Sequence, residues 1–152
     1  MVVEHIFITT LERDDALVLA DAFFTDLGLQ RAGSRDGADE WTAGKDRPRA
    51  LSDFKRTVRV DFDRGRITLA ASAPTLRTEQ EKTCQPYMLA LAASLEAHIS
   101  HGQPAEEAAA PVLAAMDKIK RRERRTRLIA YIVIGVFLVF LAVVIIAVAL
   151  SP

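Results

Sequence analysis

The sequence predicts an α+β head, a small two-layer sandwich with element order β-α-β(2-3)-α and a largely antiparallel sheet, followed by one C-terminal transmembrane helix. Three observations carry that expectation. Residues 128–150 form an uncharged run of 23 residues without Asn, Gln, Ser, Thr or Pro. Ahead of it, in residues 1–100, apolar side chains recur at a spacing of two in some segments and of 3.6 in others. Two of the period-two segments are joined by a tight turn, and helical segments lie before and after them, the order expected of helices on one face of an antiparallel sheet.

The apolar run is long enough to cross a bilayer. At about 1.5 Å per residue it reaches roughly 34 Å, against a hydrocarbon core of about 30 Å. A buried helix of a soluble domain seldom runs so far without a polar face. Residues 1–10 (MVVEHIFITT) have no basic leader and too short an apolar stretch to read as a secretory signal. A lipid-anchor signal needs small residues and a polar spacer before the tail, whereas arginines precede this one.

Zero net charge conceals a partition. Residues 117–127 (DKIKRRERRTR) hold Lys118, Lys120, Arg121, Arg122, Arg124, Arg125 and Arg127 against Asp117 and Glu123, a net +5, and residues 1–116 carry −5. Basic flanks of a membrane span stay cytoplasmic. The expected localisation is therefore a single-pass membrane protein with its N-terminus in the cytoplasm, in the tail-anchored arrangement that inserts after translation. Each Lys or Arg beside anionic headgroups adds about 1 kcal/mol, so the lipid bilayer is the first expected partner. A single cysteine, Cys84, suits a reducing compartment.

In chain order, residues 2–10 are rich in β-branched side chains and predict a strand. Ile6 and Ile8 lie on one face and Val3 and Phe7 on the other, the pattern of a strand covered on both sides. Residues 13–27 place Ala16, Leu19, Ala20, Phe23 and Leu27 at helical spacing, with Asp14 and Asp15 near the positive end of the helix dipole. Gly28 and Leu29 then supply a C-terminal cap. Residues 30–53 are irregular, with short strands expected near 29–32 and 39–44 and Trp41 as the anchor of the second. Residues 54–62 (FKRTVRVDF) alternate, Phe54, Val58, Val60 and Phe62 facing in, with Arg56 as the one exception in the inward row. A turn at 63–66 returns the chain to a second alternating strand over 66–72.

Pro86 disfavours a helix start at Thr78, so the second helix is expected to begin near Thr83, with Tyr87, Met88, Leu91, Leu95 and Ile99 as its apolar stripe and Gly102 as its end. Pro104 and Pro111 bracket an expected linker. The division is a head at 1–100, a linker at 101–116, a basic juxtamembrane segment at 117–127 and the span at 128–150.

The expected function is non-catalytic. His98 and His101 lack further ligands at metal-binding spacing, so no metal site is expected. Cys84 has no neighbouring base in the sequence. Residues 33–44 contain several glycines but neither nucleotide-loop pattern, and no cofactor is expected. Residues 31–66 form a positive belt, net +3, between segments of −5 and −3. Its Arg47, Arg49, Lys55, Arg59, Arg64 and Arg66 are the candidate partner surface. Phe54 and Phe62 face inward, so no stacking platform for nucleic acid is expected. Within the span, Gly135, Ala142 and Ala149 recur every seven residues, the pattern of a close helix–helix contact. Together these features describe an interaction or scaffolding module at a membrane surface, its partner being another membrane-associated protein or a second copy. The alternative is a small-molecule-binding domain or enzyme whose pocket, lined by Trp41, Tyr87, Met88 and Cys84, lies between sheet and helices.

Overall fold

Five strands form one antiparallel sheet in a computed structural model that describes residues 1–149, with side-chain surroundings through Ile146. The strands are β1 (Val2–Ile8), β2 (Gln30–Arg35), β3 (Ala38–Ala43), β4 (Arg56–Asp63) and β5 (Arg66–Ser72). Their spatial order is β1-β5-β4-β3-β2, so β2 to β5 form a meander whose last strand returns beside the first. Helix α1 (Arg13–Asp26) carries the chain from one edge of the sheet to the other. Helix α2 (Thr78–His101) packs against β1 and β5, and α3 (Ala105–Ala149) packs on α2. The expected α+β class is the class observed.

Alternation in the strands separates a covered face from an open one. Phe7, Trp41, Val58, Val60, Ile67, Leu69 and Ala71 are buried beneath Ala20, Phe23 and Phe24 of α1 and Met88, Leu91 and Leu95 of α2. Burying one such large side chain stabilises the fold by about 1.5–3 kcal/mol. β1 departs from expectation. Val2, Ile6 and Ile8 are 63%, 51% and 77% exposed, because α1 and α2 lie on the other side of the sheet and nothing among the described residues covers the even-numbered side chains. Both tight hairpins pair a polar residue with glycine at positive φ, Asp36 (54°) with Gly37 (85°) and Arg64 (49°) with Gly65 (80°). This is the turn whose twist matches the flanking strands.

The helix ends follow from local chemistry. At the end of α1 the amides of Gly28 and Leu29 bond the carbonyls of Thr25 and Phe24 at 2.9 and 2.8 Å, while Leu29 is buried. These are the paired bonds of a Schellman cap. Helix α2 starts at Thr78, not near Thr83. The Gln80 side chain accepts from the Arg77 amide at 3.0 Å, and Pro86 is tolerated in the interior because its ring is exposed. The Lys82 carbonyl that proline leaves unpaired therefore opens to water. The expected linker is likewise mostly helix. Only residues 102–104 break the chain before α3 begins at Ala105, and Pro111 lies within it on an exposed side. Ala108, Ala109, Val112 and Ile119 hold this part of α3 against the head by burial.

Two tertiary contacts fix the β2–β3 end of the sheet. Asp39 is buried, and its Oδ1 accepts from Arg31 Nη2 at 2.7 Å, with Arg13 of α1 3.6 Å from Oδ2. Trp41 Nε1 donates to Asp21 of α1 at 2.8 Å, and the Arg31 guanidinium lies over the indole. Arg31 can retreat to water but Asp39 cannot, so the two halves of the pair are unequal. Arg31→Met leaves the buried carboxylate with only the longer contact to Arg13 and is expected to cost about 2 kcal/mol, whereas Asp39→Asn costs less. Denaturant midpoints of the two variants in detergent measure the difference. Gly44 has φ +87°, and a Cβ there would lie 2.1 Å from the Phe54 carbonyl oxygen. Gly44→Ala is therefore expected to destabilise the head by at least about 2 kcal/mol, seen as a drop in Tm of several degrees.

Candidate functional site

The junction between head and apolar helix is built by one unbroken element. From Ala105 onward α3 passes from core packing to the basic segment and then to the apolar run. At 100° per residue, Ile119 and Glu123 share the side that faces the head. Ile119 is buried, and Glu123 Oε2 accepts from the Ser52 amide at 3.4 Å and its hydroxyl at 3.2 Å. The rest of the circumference carries Lys118, Lys120, Arg121, Arg122, Arg124, Arg125 and Arg127, all exposed. Arg122 donates to Thr83 at 3.1 Å and Arg127 to Glu123. No ion pair among the described residues engages the other five.

Beyond Arg127, α3 is the one helix among the described residues long and apolar enough to cross a membrane. Its mean hydropathy reaches 3.3 and none of that window is covered by the head. Gly135 and Ala142 are exposed along it. The surroundings of Ala149, the third residue of the expected small-residue stripe, lie outside the described residues.

The six cations of the expected partner surface are divided by β4, whose eight residues extend about 25 Å. Arg47 and Arg49 lie in the loop before β4, and Arg64 and Arg66 at the turn beyond its far end; all four are exposed. Lys55 and Arg59 are partly covered and already paired. Lys55 Nζ meets Asp46 at 2.7 Å, and Arg59 donates to the Arg35 carbonyl at 2.9 Å and approaches Asp36 at 3.4 Å. Arg64 and Arg66 also rim an open concavity of about 490 Å³ shared with Glu12 and Arg13.

Between sheet and helices there is little free space. Trp41, Met88 and Cys84 are fully buried and packed, so the four residues of the alternative pocket do not line a common cavity. His98 stacks on Phe23 and its Nδ1–H donates to the Gln103 carbonyl at 2.7 Å, while His5 pairs with Glu96 at 2.6 Å. Among the described residues no three His, Cys, Asp or Glu side chains are placed to hold one metal ion.

A smaller site emerges from Arg56, the exception in the inward row of β4. Its guanidinium lies 5.6 Å from the Phe54 ring centre and 5.3 Å from that of Tyr87, and its buried Nε has no hydrogen-bond partner. A cavity of about 260 Å³ opens there, where β4 and the short 3-10 turn Leu51–Asp53 meet α2 and α3. A cation where apolar residues were expected is the sequence signal for this site.

Comparisons with protein-family models, curated proteins and solved structures find no match to this chain.

Burial pushes the Cys84 thiol up to about 11 from its ordinary 9.0, with the Arg56 guanidinium pulling the other way, and burial also raises Tyr87. A thiol so placed stays protonated and unreactive at neutral pH. The folded state holds the Cys84 proton above the pH at which the unfolded chain releases it. Stability is thus fully present below about pH 9 and falls as pH rises toward 11. Urea midpoints followed from pH 8 to 11 should fall more steeply for the native sequence than for Cys84→Ala.

Proposed function

We propose that this chain is a single-span membrane protein whose cytoplasmic head is a non-catalytic interaction module, recruiting or scaffolding a second membrane-associated protein or another copy of itself. The observation that carries the reading is the continuity of α3 from the packed core of the head into an apolar run with nothing covering it. Ile119, the last residue buried against the head, is nine positions before Leu128. For an upright helix that is a rise of about 14 Å. Of the exposed cations between them, Arg124, Arg125 and Arg127 lie within about 6 Å of Leu128 along the helix and belong at the headgroup layer on the cytoplasmic side. The head would thus be held at a set height above the bilayer, which raises its effective concentration toward neighbours in the same membrane.

The proposed contact surface is the positive belt, with Arg47, Arg49, Arg64 and Arg66 free to meet acidic side chains of a partner and Lys55 and Arg59 between them. The close packing of Trp41, Met88 and Cys84, which line no common cavity with Tyr87, supports this reading over an enzyme with its pocket among those four residues. The test is cross-linking in cells followed by mass spectrometry, on the full chain, a version lacking residues 128–152, and the full chain with the four exposed arginines reversed to Glu. Anchor-dependent neighbours lost on charge reversal are the expected result. Neighbours unchanged by the reversal remove the belt from the proposal, and release of the full chain from membranes by alkaline carbonate overturns the anchor.

A further inference from the structure

We infer that the cavity around Arg56 is a binding site for a small oxyanion of the phosphate-monoester class, formed jointly by the head and the membrane-proximal helix. Three features of the cavity converge on that chemistry. Arg56 is a permanent cation, held rigidly over the rings of Phe54 and Tyr87, and no carboxylate among the described residues lies within ion-pair distance of it. Arg56 is partly exposed, but its buried Nε has no partner and no counter-ion faces the guanidinium, whose planar fork suits phosphate oxygens. A second cation, Lys120 of α3, lines the same cavity. Leu27, Val112, Leu113 and Met116 supply an apolar remainder.

The other charges near the site leave it positive. Asp53 lines the rim and is exposed, and Glu123, one turn beyond Lys120 on α3, is engaged by Ser52 and Arg127. One lining carboxylate stands against two lining cations. The volume of about 260 Å³ admits a phosphate group with a few attached carbons and is below the range of larger organic ligands. The bound anion would bridge β4 to α3, so its binding would strengthen the attachment of the head to its helix. The site itself does not depend on the proposed function, whereas the choice below between a soluble and a lipid anion rests on the placement of α3 in the bilayer proposed above.

Lys120 is eight residues before Leu128, about 12 Å along an upright helix, whereas the headgroup layer is only about 5–8 Å deep. A soluble anion is therefore favoured over a lipid phosphate as the source, and the test separates the two. The full chain is placed in phosphatidylcholine nanodiscs and inorganic phosphate is titrated at constant ionic strength set with chloride. Melting temperature and phosphorus NMR line width are both read. A second preparation contains phosphatidic acid in the bilayer and no free phosphate.

A saturable rise in melting temperature with line broadening in the first preparation is the expected result. Arg56→Gln should weaken binding about tenfold or more, and Lys120→Gln, on an exposed side chain that the fold does not need, severalfold. A rise confined to the phosphatidic acid preparation and lost in Lys120→Gln would assign the same site to a lipid headgroup. No saturable effect in either preparation overturns the site. So does an effect that Lys120→Gln leaves unchanged, whether or not Arg56→Gln remains folded.

Discussion

The attachment of α3 to α2 is the contact on which the remaining geometry depends. Ala108, Ala109, Val112 and Ile119 are small or medium apolar side chains at helical spacing, and they let the two helices approach closely along the first four turns of α3. Remove that packing and the basic segment has no defined direction, the Ser52–Glu123 contact has no partner, and the Arg56 cavity loses one wall. With it, a head of about one hundred residues and a long helix become a single body. Pro111 marks how strong the constraint is: its missing amide would weaken an isolated helix, yet the neighbouring buried face of Ala108, Ala109 and Val112 holds the helical path.

The edges of the sheet are treated unequally. At β2 the register shifts between Arg31 and Gly33, and Arg31 and Arg35 flank the irregularity, features that discourage further strand pairing. At β1 the chain is regular and rich in Val and Ile. Its protection comes from α2 instead, where Ser100 donates to the Ile8 carbonyl at 2.8 Å and Glu96 pairs with His5. The helix that carries α3 therefore also guards the more vulnerable edge.

Much of this was legible in the residues. The β4–β5 hairpin, α1 with its Gly28-Leu29 cap and the apolar run each rest on a local pattern that tertiary packing did not override. The departures share a cause. Proline breaks helices, so Pro86 and Pro111 predict boundaries, but each is exposed, where an unpaired carbonyl is solvated, and burial of the residues around it outweighs the lost bond. β1 looked doubly covered because alternation identifies two faces without saying which elements are available to cover them. The Asp36-Gly37 pair is a readable hairpin signal within the otherwise irregular stretch 30–53. The cavity at Arg56 was half legible: the inward cation was visible in the pattern, but the wall supplied by Lys120 comes from a residue 64 positions later.

An uninterrupted α3 also restricts how the head can encounter anything. In a chain whose helix spans a bilayer, the principal free motions of the rigid body are drift in the plane and spin about the helix axis. Spin presents every flank of the head in turn to neighbours in the same sheet of lipid, but it never brings the pole farthest from the bilayer to them. Contacts among membrane residents are thereby confined to a belt of latitude on the head, and the distal pole is reserved for molecules arriving from the aqueous side.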